Sequence, residues 1–287
     1  MKTLRSEIKH NFLKQIMFRL DYEGTMEADI SEGVLALRQD FFDAGFVNMN
    51  ERTENQVDVQ LKMNLNIPDE NSFSVNNTNK NLVYSFSSPN NEMLELSKNF
   101  FTLTINIDKI YESFDKYIEL LAKTIDKVRS TSPYFRALRM GLRKINICYL
   151  DDLADLAVYF TKGAFNIDDI VLQFTDCQCI ASNMVTILMK EGYRVNYIRN
   201  LQEGVRQLED GKERTAYQVV LDVDVYKEGH QEIAPSLSNK KDIRDILTKQ
   251  NTIEFEIFIK SLKKEFIEEL KKDTFADERI RGVDDYD

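Results

Sequence analysis

Between Phe12 and Tyr22 the chain crowds Ile, Phe and Leu into a short run that stops at Glu23-Gly24, and this pattern predicts an opening strand. The period then changes. Ile30, Val34, Leu37 and Phe41 recur at helical spacing, Asp29 and Glu32 stand as a capping-box-like start, and Gly45 falls where a helix C-cap belongs. Strand patterns follow over Gln56–Asn64, Asn81–Ser87 and Met93–Ile107, the last long enough to bend. Between the first two, Pro68–Lys80 is rich in Asn and Ser and reads as a mobile loop. Asn90-Asn91 after Pro89 suits a tight hairpin turn, which pairs the second and third of these strands antiparallel. Tyr111, Phe114, Ile118, Leu121, Ile125 and Val128 trace one face of a long helix from about Asp108 to Ser130, ended by Ser132-Pro133. Tyr134–Tyr149 then returns to strand.

The second half is less regular. Asp151–Phe160 has a helical pattern, while Asp169–Thr175, Gln178–Leu188 and Tyr193–Leu201 read as extended. Leu201–Arg214, with Gly204 and Gly211, reads as a charged connection. Thr215–Tyr226 is a clear strand that places Tyr217, Val219, Leu221, Val223 and Val225 on one face. Asn251 and Glu254 form a second capping-box pattern, and Ile257, Phe258, Leu262, Phe266 and Leu270 supply the stripe of a final helix. This order predicts an α+β fold: an antiparallel sheet with helices packed mainly on one side. It divides into a βαβββαβ half over residues 1–150, a mixed α/β half over 151–272, and an acidic tail over 273–287. The two halves are able to share one sheet.

Composition narrows the class. The chain has 287 residues, 43% of them hydrophobic and 30% charged, which is ordinary globular usage rather than a disordered or fibrous one. A net charge of −10 disfavours extended nucleic-acid contact, which needs a clustered basic face. The lysines near the C-terminus are interleaved with Glu256, Glu265, Glu268 and Glu269, as on a solvated helix face. Three cysteines, Cys148, Cys177 and Cys179, are an odd number that points to reduced thiols and a cytoplasmic setting. Met1–Lys14 has no signal-peptide-like run, and no stretch approaches the ~20 apolar residues of a membrane span.

Few residues offer chemistry. No G-x-G-x-x-G or Walker-type segment exists to cradle a nucleotide. Cys177 and Cys179, with Cys148 and His230, are soft enough for zinc, but a C-x-C pair in an extended segment does not match the usual C-x2-4-C turn. The histidines, His10 and His230, stand beside no nucleophile that would complete a triad. Asp58, Gln60 and Lys62 share a strand face only loosely like a nuclease core. Asp222 and Asp224 also share a face, and such pairs hold Mg²⁺ when a third acid helps; the plainer role is an exposed face or partners for arginines across the sheet. No cofactor is expected.

The most unusual constellation is Arg139-Met140-Gly141-Leu142-Arg143-Lys144-Ile145-Asn146. In a strand, Leu138, Met140 and Leu142 face the core, and Arg139, Gly141 and Arg143 line the other face with a gap at the glycine. Arg139, Gly141, Arg143 and Asn146 are therefore the candidate anion- or partner-binding residues, since arginine forks suit carboxylates and phosphates. The structural alternative is internal pairing with Asp222, Asp224 or acids of the final helix.

The same segment resembles the R-x-G-L-R-[YK]-I-N signature of a family of uncharacterised, sporadically distributed prokaryotic proteins. Phe12–Arg19, Phe86-Ser87-Ser88, Tyr111–Phe114, Leu221–Asp224 and Phe255–Phe258 resemble further features of that family in order. Lys144 departs from it, standing where an aromatic is common. The resemblance implies no activity. Its patchy distribution implies cargo of mobile elements, and so phage defence, counter-defence or toxin neutralisation. The expectation is a non-catalytic module that binds another protein. The alternatives are a phosphate- or nucleotide-binding enzyme or sensor built on the arginine-glycine strand, and an acidic nucleic-acid mimic.

Overall fold

The computed structural model describes residues 2–8, 10, 12–62, 72–107, 113–166, 179–207 and 213–272. In chain order the elements are α1 (Lys2–Glu7), β1 (Leu13–Glu23), α2 (Glu27–Asp43), β2 (Asn48–Lys62), β3 (Ser72–Ser87), β4 (Glu92–Ser97), β5 (Phe100–Asn106), α3 (Asp115–Ser130) and β6 (Arg136–Leu150). After these come α4 (Leu156–Tyr159), β7 (Ala181–Lys190), β8 (Tyr193–Gln207), β9 (Glu213–Glu228), α5 (His230–Ile233), α6 (Lys240–Ser261) and α7 (Lys264–Leu270). Among the described residues nine strands form a single sheet in the order β2-β3-β4-β5-β1-β6-β9-β8-β7, and every neighbouring pair is antiparallel. This is the α+β architecture expected from the pattern.

Register explains where the core sits. One cross-strand row runs Met49, Phe86, Leu94, Leu103, Phe18, Leu142, Val225, Val195, Leu188. Its seven inner members are at most 2% exposed, whereas Met49 and Leu188, on the two edge strands, are 49% and 40% exposed. Burying each such Leu or Phe side chain stabilises the fold by roughly 1.5–3 kcal/mol. The helices lie over this face: Phe41 of α2 meets Phe86, Phe258 of α6 meets Phe12, and Gln250 of α6 donates to the Met140 carbonyl.

Several local expectations are corrected. Helix α2 begins two residues before Asp29, which reaches back to accept the Met26 N–H at 2.8 Å. Ser72–Lys80, expected as loop, belongs to β3 and pairs with β2, with one register shift at Thr78. Ladder bonds come from the backbone, so Asn and Ser side chains do not prevent them once a partner strand is supplied. Met93–Ile107 is two strands, β4 and β5, because Ser97 Oγ accepts the N–H groups of Asn99 and Phe100 and turns the chain. Four strands therefore separate α2 from α3. Leu201–Arg214 is mostly strand, with Gly204 opposite Ala216 and Gln207 opposite Glu213. Asn251 and Glu254 lie inside α6, whose N-cap is Asn239, with Oδ1 accepting the Asp242 N–H at 3.0 Å. The final stripe is split between α6 and α7. His10, expected near an unstructured start, accepts no core role but is tied to the Lys272 carbonyl at 3.1 Å. Tyr111, Asp169–Thr175, Cys177 and the tail from Asp273 lie outside the described residues, as do the side chains of Asp58, Gln60 and Lys62.

Candidate functional site

The sheet face opposite the helices carries the candidate residues. Strand alternation on β6 sends Met140, Leu142, Lys144 and Asn146 into the core and Arg139, Gly141 and Arg143 to this second face. Leu138 does not follow. A register shift opposite Asp21 and Tyr22 inserts it as an extra residue, so it is 40% exposed while Ala137 is buried.

On the second face, β6 and β9 build two parallel ion pairs. Arg139 Nη2 lies 2.7 Å from Asp224 Oδ2. Arg143 grips Asp222 with both arms of its fork, Nε to Oδ1 at 2.8 Å and Nη2 to Oδ2 at 2.5 Å. Arg139 also stacks over Tyr226, its Cζ 4.5 Å from the ring centroid. The gap at Gly141 is filled by that guanidinium: a Cβ there would stand 3.1 Å from Arg139 Nη1 and 3.0 Å from Tyr226 Cβ. The space left by the glycine is taken by the Arg139 guanidinium and Tyr226.

Burial sets the electrostatics. Desolvation raises the Asp224 carboxyl above its usual range, against the pull of the Arg139 guanidinium. The hydrogen bond to Asp222 holds the Arg143 guanidinium more firmly charged than usual. The four charges balance two against two, with Arg139 making a single bond to Asp224 and Asp224 Oδ1 left buried without a donor among the described residues. The aspartates thus partner arginines across the sheet, the plainer of the two roles expected for them. Among the described residues no three His, Cys, Asp or Glu side chains converge as a metal ion needs. Cys148 lies fully buried in the core, where desolvation pushes its thiol well up.

Asn146 does not join this constellation. It faces the core and donates to the Leu221 carbonyl at 3.3 Å. Two residues before it, Lys144 is buried and its Nζ lies 2.7 Å from Glu254 Oε2 and 2.9 Å from Asn251 Oδ1, both on α6. Asn251 in turn donates to Asp115 Oδ1 at 3.2 Å, and its carbonyl accepts Arg5 Nη2 at 2.7 Å. Desolvation pulls the Lys144 ammonium below the usual lysine range in spite of Glu254. This network, which the sequence pattern did not reveal, locks α6 and α1 to the sheet. A lysine among apolar neighbours in a strand was its one visible sign.

Two further features of the second face were also missed. The edge strand β7 exposes Val185, Ile187 and Met189 at 61%, 68% and 69%. At the other side of β1, a cleft of about 1000 Å³ opens between Asp21, Glu54, Glu95 and Lys98. Compared with known proteins, the chain matches no family model and no curated sequence. No helix among the described residues is long and apolar enough to cross a membrane.

Proposed function

We propose that the protein is a non-catalytic interaction module that takes an extended segment of another protein along its β7 edge. The observation that supports this is the contrast between the two edges of the sheet. Strand β2 carries Glu51, Arg52 and Glu54, the charge pattern that keeps an edge from pairing. Strand β7 carries one charge, Lys190 at its end, and presents Val185, Ile187 and Met189 to solvent. This edge of ten residues has no strand beyond it among the described residues, and its outer row of backbone groups and alternate side chains suit an added strand. The pairing of Arg139 with Asp224 and of Arg143 with Asp222 agrees with a scaffold role for the arginine-glycine strand. The setting we assign, in the cytoplasm, is phage defence, counter-defence or toxin neutralisation, and it rests on the resemblance of Arg139–Asn146 alone.

The test compares the wild-type chain with Val185→Lys/Ile187→Lys in quantitative capture from the native host. Both residues are exposed, so the variant is expected to keep its thermal midpoint and to lose the wild-type partner. A wild-type chain that captures no specific protein, or a partner retained equally by both chains, refutes the reading. So does turnover of a nucleotide or nucleic acid by the purified protein.

A further inference from the structure

The cleft lies on the sheet face that no helix covers among the described residues, on the β2 side of β1 and away from β7. Its walls carry more negative than positive charge: Asp21, Glu23, Glu27, Glu54 and Glu95 face only Arg19 and Lys98 among the lining side chains. Nearby cations offset some of this. Asp21 has Arg19 at 2.7 Å, Glu23 has Arg136 at 3.1 Å, and Glu27 has Lys98 at 3.6 Å. The imbalance falls on Glu54 and Glu95, which share the single guanidinium of Arg52, at 2.7 and 2.5 Å. Among the described residues one carboxylate charge is left over there, and Glu95 is itself only 9% exposed.

A second observation points the same way. Asn81 lines the cleft beside Glu54, which is its register partner on β2, and is 3% exposed. Its Oδ1 is a buried acceptor with no hydrogen-bond donor. Buried acceptors ordinarily find donors, because leaving one bare costs about 1–3 kcal/mol. The site therefore offers spare negative charge and, in Asn81 Oδ1, a spare acceptor. Among the described residues no three acidic side chains converge as a metal ion needs, which suits a ligand with N–H groups better than a metal ion.

We propose that this cleft binds an organic cation, an alkylammonium or guanidinium group, with Glu54, Glu95 and Asn81 Oδ1 as acceptors. Free polyamines and the lysine or arginine side chains of a peptide share that chemistry. The inference is independent of the β7 reading, because the two surfaces lie on opposite sides of the sheet's central strand.

The experiment titrates the full chain with spermidine and, separately, with an end-blocked Arg-Gly-Arg-Gly-Arg peptide, following the Asn81 side-chain amide by NMR. At least one titration is expected to saturate at Asn81 and the residues around it. Saturation by spermidine alone assigns the site to free polyamines; saturation by the peptide alone, or more tightly by the peptide, assigns it to a basic segment. Glu54→Gln, at a half-buried position, is expected to weaken binding about tenfold, the loss of one charge-assisted hydrogen bond. Asn81→Leu serves as a second variant, and Val185→Lys/Ile187→Lys is expected to bind like wild type. Shifts that fail to saturate in both titrations, or that spread evenly over acidic residues elsewhere, overturn the proposal. So does wild-type affinity in both cleft variants.

Discussion

Replacing Lys144 by Met removes the cationic half of a buried pair while keeping the length of the side chain. In the fold, Lys144 Nζ sits 2.7 Å from Glu254 Oε2, with the two side chains 6% and 3% exposed. The substitution leaves a carboxylate in the core with no counter-charge, and breaking a buried pair from one side costs about 3–5 kcal/mol. That is a large share of the 5–15 kcal/mol by which domains are ordinarily stable. Replacing both partners, as Lys144→Met/Glu254→Leu, removes the stranded charge. It leaves mainly the Asn251 Oδ1 acceptor without its 2.9 Å donor, a cost of about 1–3 kcal/mol. The double variant is thus expected to be more stable than Lys144→Met by roughly 2 kcal/mol, and the cycle to be strongly non-additive. Urea unfolding followed by circular dichroism measures this directly: at a slope of about 3 kcal/mol per molar, the single variant's midpoint falls by roughly 1 M or more. A loss below about 1 kcal/mol for Lys144→Met, or additive single and double variants, refutes the account of Lys144 as the tie between β6 and α6.

Three other outcomes follow from the same geometry. Gly24→Ala is expected to cost at least about 2 kcal/mol in thermal or urea unfolding, since Gly24 has φ +83° and an added Cβ would stand 1.9 Å from the Tyr134 carbonyl oxygen. Stability equal to wild type refutes it. Asn239→Ala removes the side-chain acceptor from the α6 N-terminus and is expected to cost ~1 kcal/mol, while Asn239→Gly costs less; the reverse order refutes the capping role. Asp224 has its carboxyl raised above 3.8 by desolvation, so between that value and its folded pKa the folded state keeps a proton the unfolded chain has released. Stability contributed by this group therefore falls as pH rises through that window. The wild-type chain is expected to lose stability relative to Asp224→Asn as pH is raised from about 4 in urea titrations, and a difference that moves the other way refutes the assignment.

How the two arginines act was visible only as a choice. The alternation of Arg139, Gly141 and Arg143 placed them on one strand face, and Asp222 and Asp224 were legible as a second pair with the same spacing. That these four side chains meet depends on β6 lying beside β9, with Arg143 opposite Asp224 and Ile145 opposite Asp222. No local pattern encodes a pairing between strands about eighty residues apart in the chain. Asn146 was misplaced into the group because motif proximity ignores which face a residue takes.

The residues alone determined what depends on neighbours along the chain: the α+β class, the buried stripe of α2, the core face of β9 from Tyr217 to Val225, and the hairpin at Asn91, whose φ is 56°. Periodicity records these because a face is buried or exposed along its whole length. Tertiary structure decided the rest. Ser72–Lys80 and Leu201–Gln207 became strand because a partner backbone was available, and Asn251 and Glu254 became core ligands of Lys144 instead of a helix start, because α6 had already begun at Asn239. The same is true of the two surfaces to which function is assigned. Strand β7 is an edge, and the cleft a cleft, only once all nine strands have taken their order.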